Sequence, residues 1–169
     1  MTANPNHYCR MSNYLNVIRP LRLLDLPEWN VAIFSFLLNF LWEIQQMPFF
    51  EIPPEFSCLD MIRNCTLATV GDVGISLTAF WTVAVVSKSR QWLLQPRWWQ
   101  MGNFILVGVA ITVIFEALAT GVFNRWKYAA LMPTFPFLGT GLLPLLQWIL
   151  IPPIIVWFVK RQLSIFRHK

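Results

Sequence analysis

Charge is scarce in this 169-residue chain: 12% of its residues are charged and 56% are hydrophobic, whereas a soluble domain carries about a quarter charged residues. Together with a mean hydropathy of +0.52, this excludes an ordinary soluble domain and reads as an integral membrane bundle. Histidine is nearly absent. His7 and His168 lie in the two tails, so no apolar segment offers an imidazole to ligate haem or copper. The three cysteines form no CxxC or zinc pattern. Cys58 and Cys65 read as unpaired small apolar residues, although export would allow them to pair. P-loop, GxGxxG, GxSxG, HExxH and DDxxD motifs are all missing, so ATP-driven chemistry by this chain alone is not expected. No motif identifies a cofactor. No dedicated metal centre is expected, though a magnesium site made only of carboxylates stays open, since hard cations take oxygen ligands.

Four apolar segments are long enough to span a bilayer. They cover residues 29–50, 66–87, 102–121 and 137–160. Residues 1–28 form an N-terminal segment and 161–169 a basic tail. Pro48, Pro53, Pro54, Pro96, Pro133 and Pro136 punctuate the connections, and Pro144, Pro152 and Pro153 predict kinks in the fourth span. The stretch Leu21–Glu28 has the pattern of a short interfacial helix. Residues 1–25 are polar, with no apolar run leading to a small-residue cleavage site, so the first span is expected to act as its own insertion signal.

The net charge of +5 is a topology signal rather than a nucleic-acid footprint. Ten of the thirteen Lys and Arg residues fall in the N-terminal segment, the second loop and the C-terminal tail. Only Arg63, Arg125 and Lys127 fall in the other two loops. By the positive-inside rule both termini are cytoplasmic and the chain resides in the cell membrane. Trp29, Trp92, Trp98, Trp99 and Trp157 mark one interface, and Trp126 and Tyr128 the other. The predicted fold is thus all-α: a bundle of four transmembrane helices.

Three of the eight acidic residues, Glu43, Asp72 and Glu116, lie inside apolar segments. A carboxylate there costs about 3 kcal/mol or more and usually faces a cavity or a partner. From the predicted helix ends, each sits roughly 7–11 Å below the outer boundary at 1.5 Å per residue. Each also lies on a polar stripe with helical spacing: Asn39, Glu43 and Gln46; Thr69, Asp72 and Ser76; Gly108, Thr112, Glu116 and Thr120. The fourth span adds Thr140, Pro144 and Gln147. Stripes of hydroxyl and small residues also serve as helix–helix glue, but glue does not need a carboxylate. Turned inward, the four stripes build a polar pocket open to the outer leaflet, with Arg125 and Lys127 above it as counter-charge. Three acids against two bases implies that not all three carry charge at once, and a neutral carboxylic acid in an apolar pocket is a competent general acid.

The run Asn39-Phe40-Leu41-Trp42-Glu43 resembles the Asn-x-x-Trp-Glu motif of transmembrane terpene cyclases. Glu116, followed by Trp126, Tyr128 and Pro133, resembles a pattern in membrane carotenoid cyclases and hydratases and is similar to sterol-isomerase-like proteins. These resemblances imply acid-initiated chemistry on an isoprenoid lipid, with Glu43 as the proton donor. Such cyclases generally have more spans, so a four-helix chain departs from their pattern and would act as a dimer. The chain as a whole is also similar to a small family of bacterial membrane proteins marked by WExxQMP, Gly71-Asp72, RWxYxxxMP and GxGLxPxxQ, a resemblance that implies no activity.

Three functions fit these residues. In the first, Glu43, Asp72 and Glu116 catalyse cyclisation, isomerisation or hydration of an isoprenoid lipid. Asn39, Trp42, Gln46, Trp81, Thr112, Arg125, Trp126, Tyr128 and Gln147 then line the substrate site. In the second, the same pocket binds or transports a lipid, quinone or cation unchanged. In the third, the chain is an accessory subunit of a larger membrane complex. The expected partners are membrane lipid or an isoprenoid ligand, and a second copy or larger complex, with no nucleic acid.

Overall fold

Residues 25–136 and 139–167 are described by the structure, a computed structural model, with side chains as far as Ser164. Arg10, Arg19, Arg22, His7, His168, the predicted helix start at Phe137 and residues 21–24 of the expected interfacial helix lie outside them. Among the described residues four long helices run in sequence: α1 Pro27–Gln46, α2 Cys58–Val86, α3 Trp98–Ala117 and α4 Leu142–Arg167. No strand forms among the described residues; two isolated bridges, Phe50 with Tyr128 and Thr134 with Gly141, are the only β pairing there. The closest helix pairs are α1–α2, α2–α3, α3–α4 and α4–α1, so the helices form a closed four-membered ring.

Local chemistry sets the helix ends. α1 opens with Pro27, whose missing N–H is no loss in the first turn, and with Glu28, which favours the positive end of the helix dipole. Met47–Phe49 tightens into a 3-10 turn around Pro48, so α1 stops four residues before the predicted end. α2 starts at Cys58, eight residues before the predicted Thr66. Ser57 and Asp60 form a capping box there: Asp60 N donates to Ser57 Oγ at 3.2 Å, and Ser57 N donates to Asp60 Oδ2 at 3.0 Å. α3 begins at Trp98 rather than residue 102, where Arg97 N donates to Gln100 Oε1 at 2.8 Å. It ends in a π-helical turn, Leu118–Val122.

α4 begins at Leu142, so Pro144 sits in its first turn, where no helical N–H bond is required. The expected kink at Pro144 therefore has no physical basis; only Pro152 and Pro153 lie within the helix interior. Cys58 and Cys65 are free, two helical turns apart on α2 and beyond disulfide reach.

Three of the helical segments, Cys58–Val86, Trp98–Val122 and Leu142–Ser164, are long and apolar enough to cross a membrane. α1 is not among them. Its buried residues Asn30, Ser35, Asn39 and Gln46 lower its mean hydropathy, while Ile33, Leu37, Leu41 and Ile44 form an exposed apolar stripe along its outer side. Every helix presents exposed apolar side chains, among them Leu67 and Val70 on α2, Leu106 and Ile114 on α3, and Ile149 and Leu150 on α4.

The interior is divided along the bundle axis. The apolar core joins the start of α1 (Val31), the end of α2 (Ala79, Phe80, Val83), the start of α3 (Phe104) and the end of α4 (Ile155, Val159, Leu163), with Trp92 and Leu93 from the connecting loop. Arg90 seals this end by pairing with Glu28 and lying 5.1 Å over the Trp81 ring. The opposite half holds most of the buried polar residues; Asn30 and Gln100 are buried at the apolar end. Between the halves, α3 and α4 meet at Gly108, where a Cβ would stand 2.1 Å from Trp148 Cε3. Gly108→Ala is therefore expected to destabilise the fold by about 1–3 kcal/mol through overpacking. Thermal unfolding in detergent checks this, and Trp148→Phe in the same chain should recover part of the loss.

Candidate functional site

The polar half contains a closed circuit of side chains through three helices. Ser76 on α2 and Ser35 on α1 share a hydrogen bond between hydroxyls at 2.8 Å. Asn39, one turn further along α1, donates to Ser35 Oγ and to Ser35 O, both at 2.9 Å. Gln147 on α4 donates from Nε2 to Asn39 Oδ1 at 2.8 Å and to Asp72 Oδ2 at 2.9 Å. Asp72 lies one turn before Ser76, so the circuit returns to α2. Both Asn39 and Gln147 are almost fully buried, and each amide spends both N–H bonds inside the bundle, as a buried amide must.

Glu43 lies beside this circuit. Gln46 Nε2 donates to Glu43 Oε1 at 2.6 Å, and Trp42 Nε1 donates to Gln46 Oε1 at 3.2 Å. Glu43 is within electrostatic reach of both Asp72 and Glu116.

Glu116 is held from the loop after α3. The Tyr128 hydroxyl donates a short hydrogen bond to Glu116 Oε2, and Trp126 Nε1 approaches the same oxygen at 3.4 Å. The Tyr128 oxygen accepts from Gly141 N at 3.0 Å, which ties the acid to the entry of α4. Burial, and then the bond to Glu116, hold the Tyr128 phenol well above its usual range. Tyr128 thus remains a donor throughout the ordinary pH range. Main-chain bonds fix its position: Glu51 N to Lys127 O at 2.9 Å and Ala129 N to Phe49 O at 3.0 Å. These join the loop after α1 to the loop after α3, with the Phe50 ring 5.6 Å from that of Tyr128.

Most of the predicted site residues gather here: Glu43, Asp72, Glu116, Asn39, Trp42, Gln46, Trp126, Tyr128 and Gln147. Thr112 is buried one turn before Glu116 on the same side of α3. Two do not fit. Trp81 lies nine residues beyond Asp72, about 14 Å along the helix and half a turn around it. It is exposed beside Arg90, at the far end of the bundle. Arg125 is exposed and forms no ion pair with an acid; the ion pair among the described residues is Arg90 with Glu28. The expected counter-charge above the acids is therefore not in place, and neutral donors occupy its position. Among the described residues no group of three His, Cys, Asp or Glu could hold a metal ion.

Ser35 was not singled out by sequence reasoning. Extending the Asn39–Glu43–Gln46 stripe back by one helical turn finds it. The role of Gly141, a main-chain donor, leaves no side-chain signal. Comparison of the chain with protein families, curated proteins and solved structures found no match.

Gln147→Leu and Asn39→Leu are each expected to destabilise the protein by about 1–3 kcal/mol, because each strands buried partners. In a double-mutant cycle the pair should fall short of additivity by at least about 0.5 kcal/mol. Strictly additive losses in detergent unfolding would mean that the two amides do not share one network.

Proposed function

We propose that this chain is a four-span protein of the cell membrane, with both termini cytoplasmic, and that its polar half binds an isoprenoid lipid and performs acid-initiated chemistry on it. The observation that carries this reading is the set of partners around the three acids. Glu43, Asp72 and Glu116 come from three helices and accept hydrogen bonds from amide, indole and phenol groups, with no cation paired to them among the described residues. A structural ion pair would neutralise a carboxylate with Lys or Arg. Uncompensated acids ringed by neutral donors in an apolar protein suit proton transfer.

Glu43 is assigned the proton donor. It is half-buried, and the Gln46 amide donates to its Oε1. It donates its proton to a carbon–carbon double bond of the lipid, leaving a carbocation. The faces of Trp42 and Trp126 stabilise positive charge nearby. Asp72 or Glu116 then removes a proton from a neighbouring carbon, so an isomerisation or cyclisation is neutral overall and needs no cofactor. If water adds to the cation instead, the product is an alcohol and the same bases take the released proton.

The exposed apolar stripe Ile33, Leu37, Leu41 and Ile44 supports α1 as a fourth span despite its polar inner side. Labelling of single cysteines placed at either end of the chain tests the topology. Both should react only from the cytoplasmic side; opposite sides would mean that α1 does not cross.

Lipid profiling tests the chemistry. In a strain lacking the protein, wild-type chain should restore the normal isoprenoid profile, whereas Glu43→Gln should accumulate substrate with product reduced at least about 100-fold, the scale of a lost general acid. Full restoration by Glu43→Gln would sink the acid-catalyst reading.

A further inference from the structure

Two hydroxyls in the polar half have no partner. Thr112 and Thr140 are 7% and 1% exposed, and the Oγ1 atom of each is buried without a hydrogen bond. Thr112 departs from the habit of this protein's helices. Thr66, Thr69, Thr78, Thr82 and Thr120 each donate to the carbonyl four residues earlier, at 2.7–2.8 Å. That default is open to any helical threonine, and Thr112 does not take it. Its Oγ1 is buried and makes no hydrogen bond to that carbonyl or to any other group among the described residues.

Both residues are linked to the same acid, one along the helix and one through a hydrogen-bond relay. Thr112 lies one turn before Glu116 on α3. Thr140 adjoins Gly141, whose N–H donates to the Tyr128 hydroxyl that in turn donates to Glu116. Buried polar groups are normally satisfied, and an orphan in a folded protein calls for an occupant. Around Glu116 the amide, indole and phenol donors are already committed, while these two hydroxyls, each able to donate and to accept, are not.

We propose that Thr112 and Thr140 hold the oxygen atom of the ligand, placing it beside Glu116 and Tyr128. The ligand is then an oxygenated lipid, an alcohol or carbonyl compound with a long apolar body, rather than a pure hydrocarbon. This rests on the reading of the polar half as a lipid site and deepens it by naming the functional group recognised. Glu43 would act on the apolar body while the oxygen end is fixed at the loop side of α3.

The test uses full-length protein in lipid nanodiscs with two matched probe pairs. The first is geranylgeraniol and the hydrocarbon lacking its hydroxyl group; the second is hexadecanol and hexadecane. Retained probe is measured by mass spectrometry relative to empty nanodiscs, which corrects for partitioning into lipid. The wild type should retain an alcohol over its hydrocarbon by roughly tenfold, the scale of one or two neutral hydrogen bonds. Thr112→Val and Thr140→Val should each erode that preference several-fold without reducing hydrocarbon retention. They should also leave the ligand-free melting temperature unchanged or higher, since each removes an orphan hydroxyl. Thr112→Ser, which keeps the hydroxyl, should keep the preference and guards against misfolding of the valine variant.

Equal retention of alcohol and hydrocarbon by the wild type would overturn the proposal, as would a preference that survives both valine substitutions. A preference confined to hexadecanol would support the oxygen site and reject an isoprenoid ligand. Retention of the preference by Glu43→Gln supports the oxygen site whether or not that variant still converts lipid.

Discussion

A side-chain amide inside an apolar bundle has few ways to be satisfied, and Gln147 finds two of them on two different helices. Its single nitrogen reaches Asn39 on α1 and Asp72 on α2. Because Asn39 continues to Ser35 and Ser35 to Ser76, the bonds close into a loop. Each member fixes the rotamer of the next, so the relative height of α1, α2 and α4 is set by a few polar atoms rather than by the smooth apolar surfaces that slide easily past one another. Directional bonds of this kind carry the register of membrane helices where small and apolar residues supply the close packing. α3 is attached by different means: the contact of Gly108 with Trp148 and the chain from Glu116 through Tyr128 to Gly141.

This arrangement separates the work of the two halves. The half around Phe80, Trp92, Phe104 and Ile155 is filled by interlocking aromatic and branched side chains and closed by Arg90 with Glu28. It supplies stability chiefly through apolar packing. The other half gives up apolar packing for a set of amides, hydroxyls and acids. Placing three carboxylates there is tolerable because the rigid half holds the helices together while neutral amide, indole and phenol groups of the polar half donate to the acids.

Much of this was legible in the residue pattern, and the remainder was hidden for identifiable reasons. Periodicity located four helices and placed Asn39, Glu43, Asp72, Glu116 and Gln147 on inward stripes, because one helix face repeats every three to four residues regardless of depth. Helix ends were less legible. Apolar content marks where a span leaves the hydrocarbon, whereas the helix itself ends where its caps allow, as at Ser57 and Asp60. Trp81 was misplaced because an aromatic residue on the helix that carries Asp72 carries no mark of its height or face until counted at 100° per residue. Arg125 was misassigned because attraction between opposite charges is easily anticipated from sequence. The competing solution, a phenol brought down by main-chain bonds between distant loops, has no local signature.

Those loop bonds have a consequence for how the chain can vary. Glu51 and Ala129 contribute only their backbone N–H groups to the junction that carries Tyr128. Their side chains are not part of the link. Substitution at either position should drift freely over generations, with one exclusion: proline, which lacks the hydrogen, would unfasten the seam. The position of the phenol is therefore guarded by residues whose identity conveys almost nothing, and a comparison of diverged copies would show constancy at Tyr128 and Glu116 beside near-random choice at the two sites that hold them together.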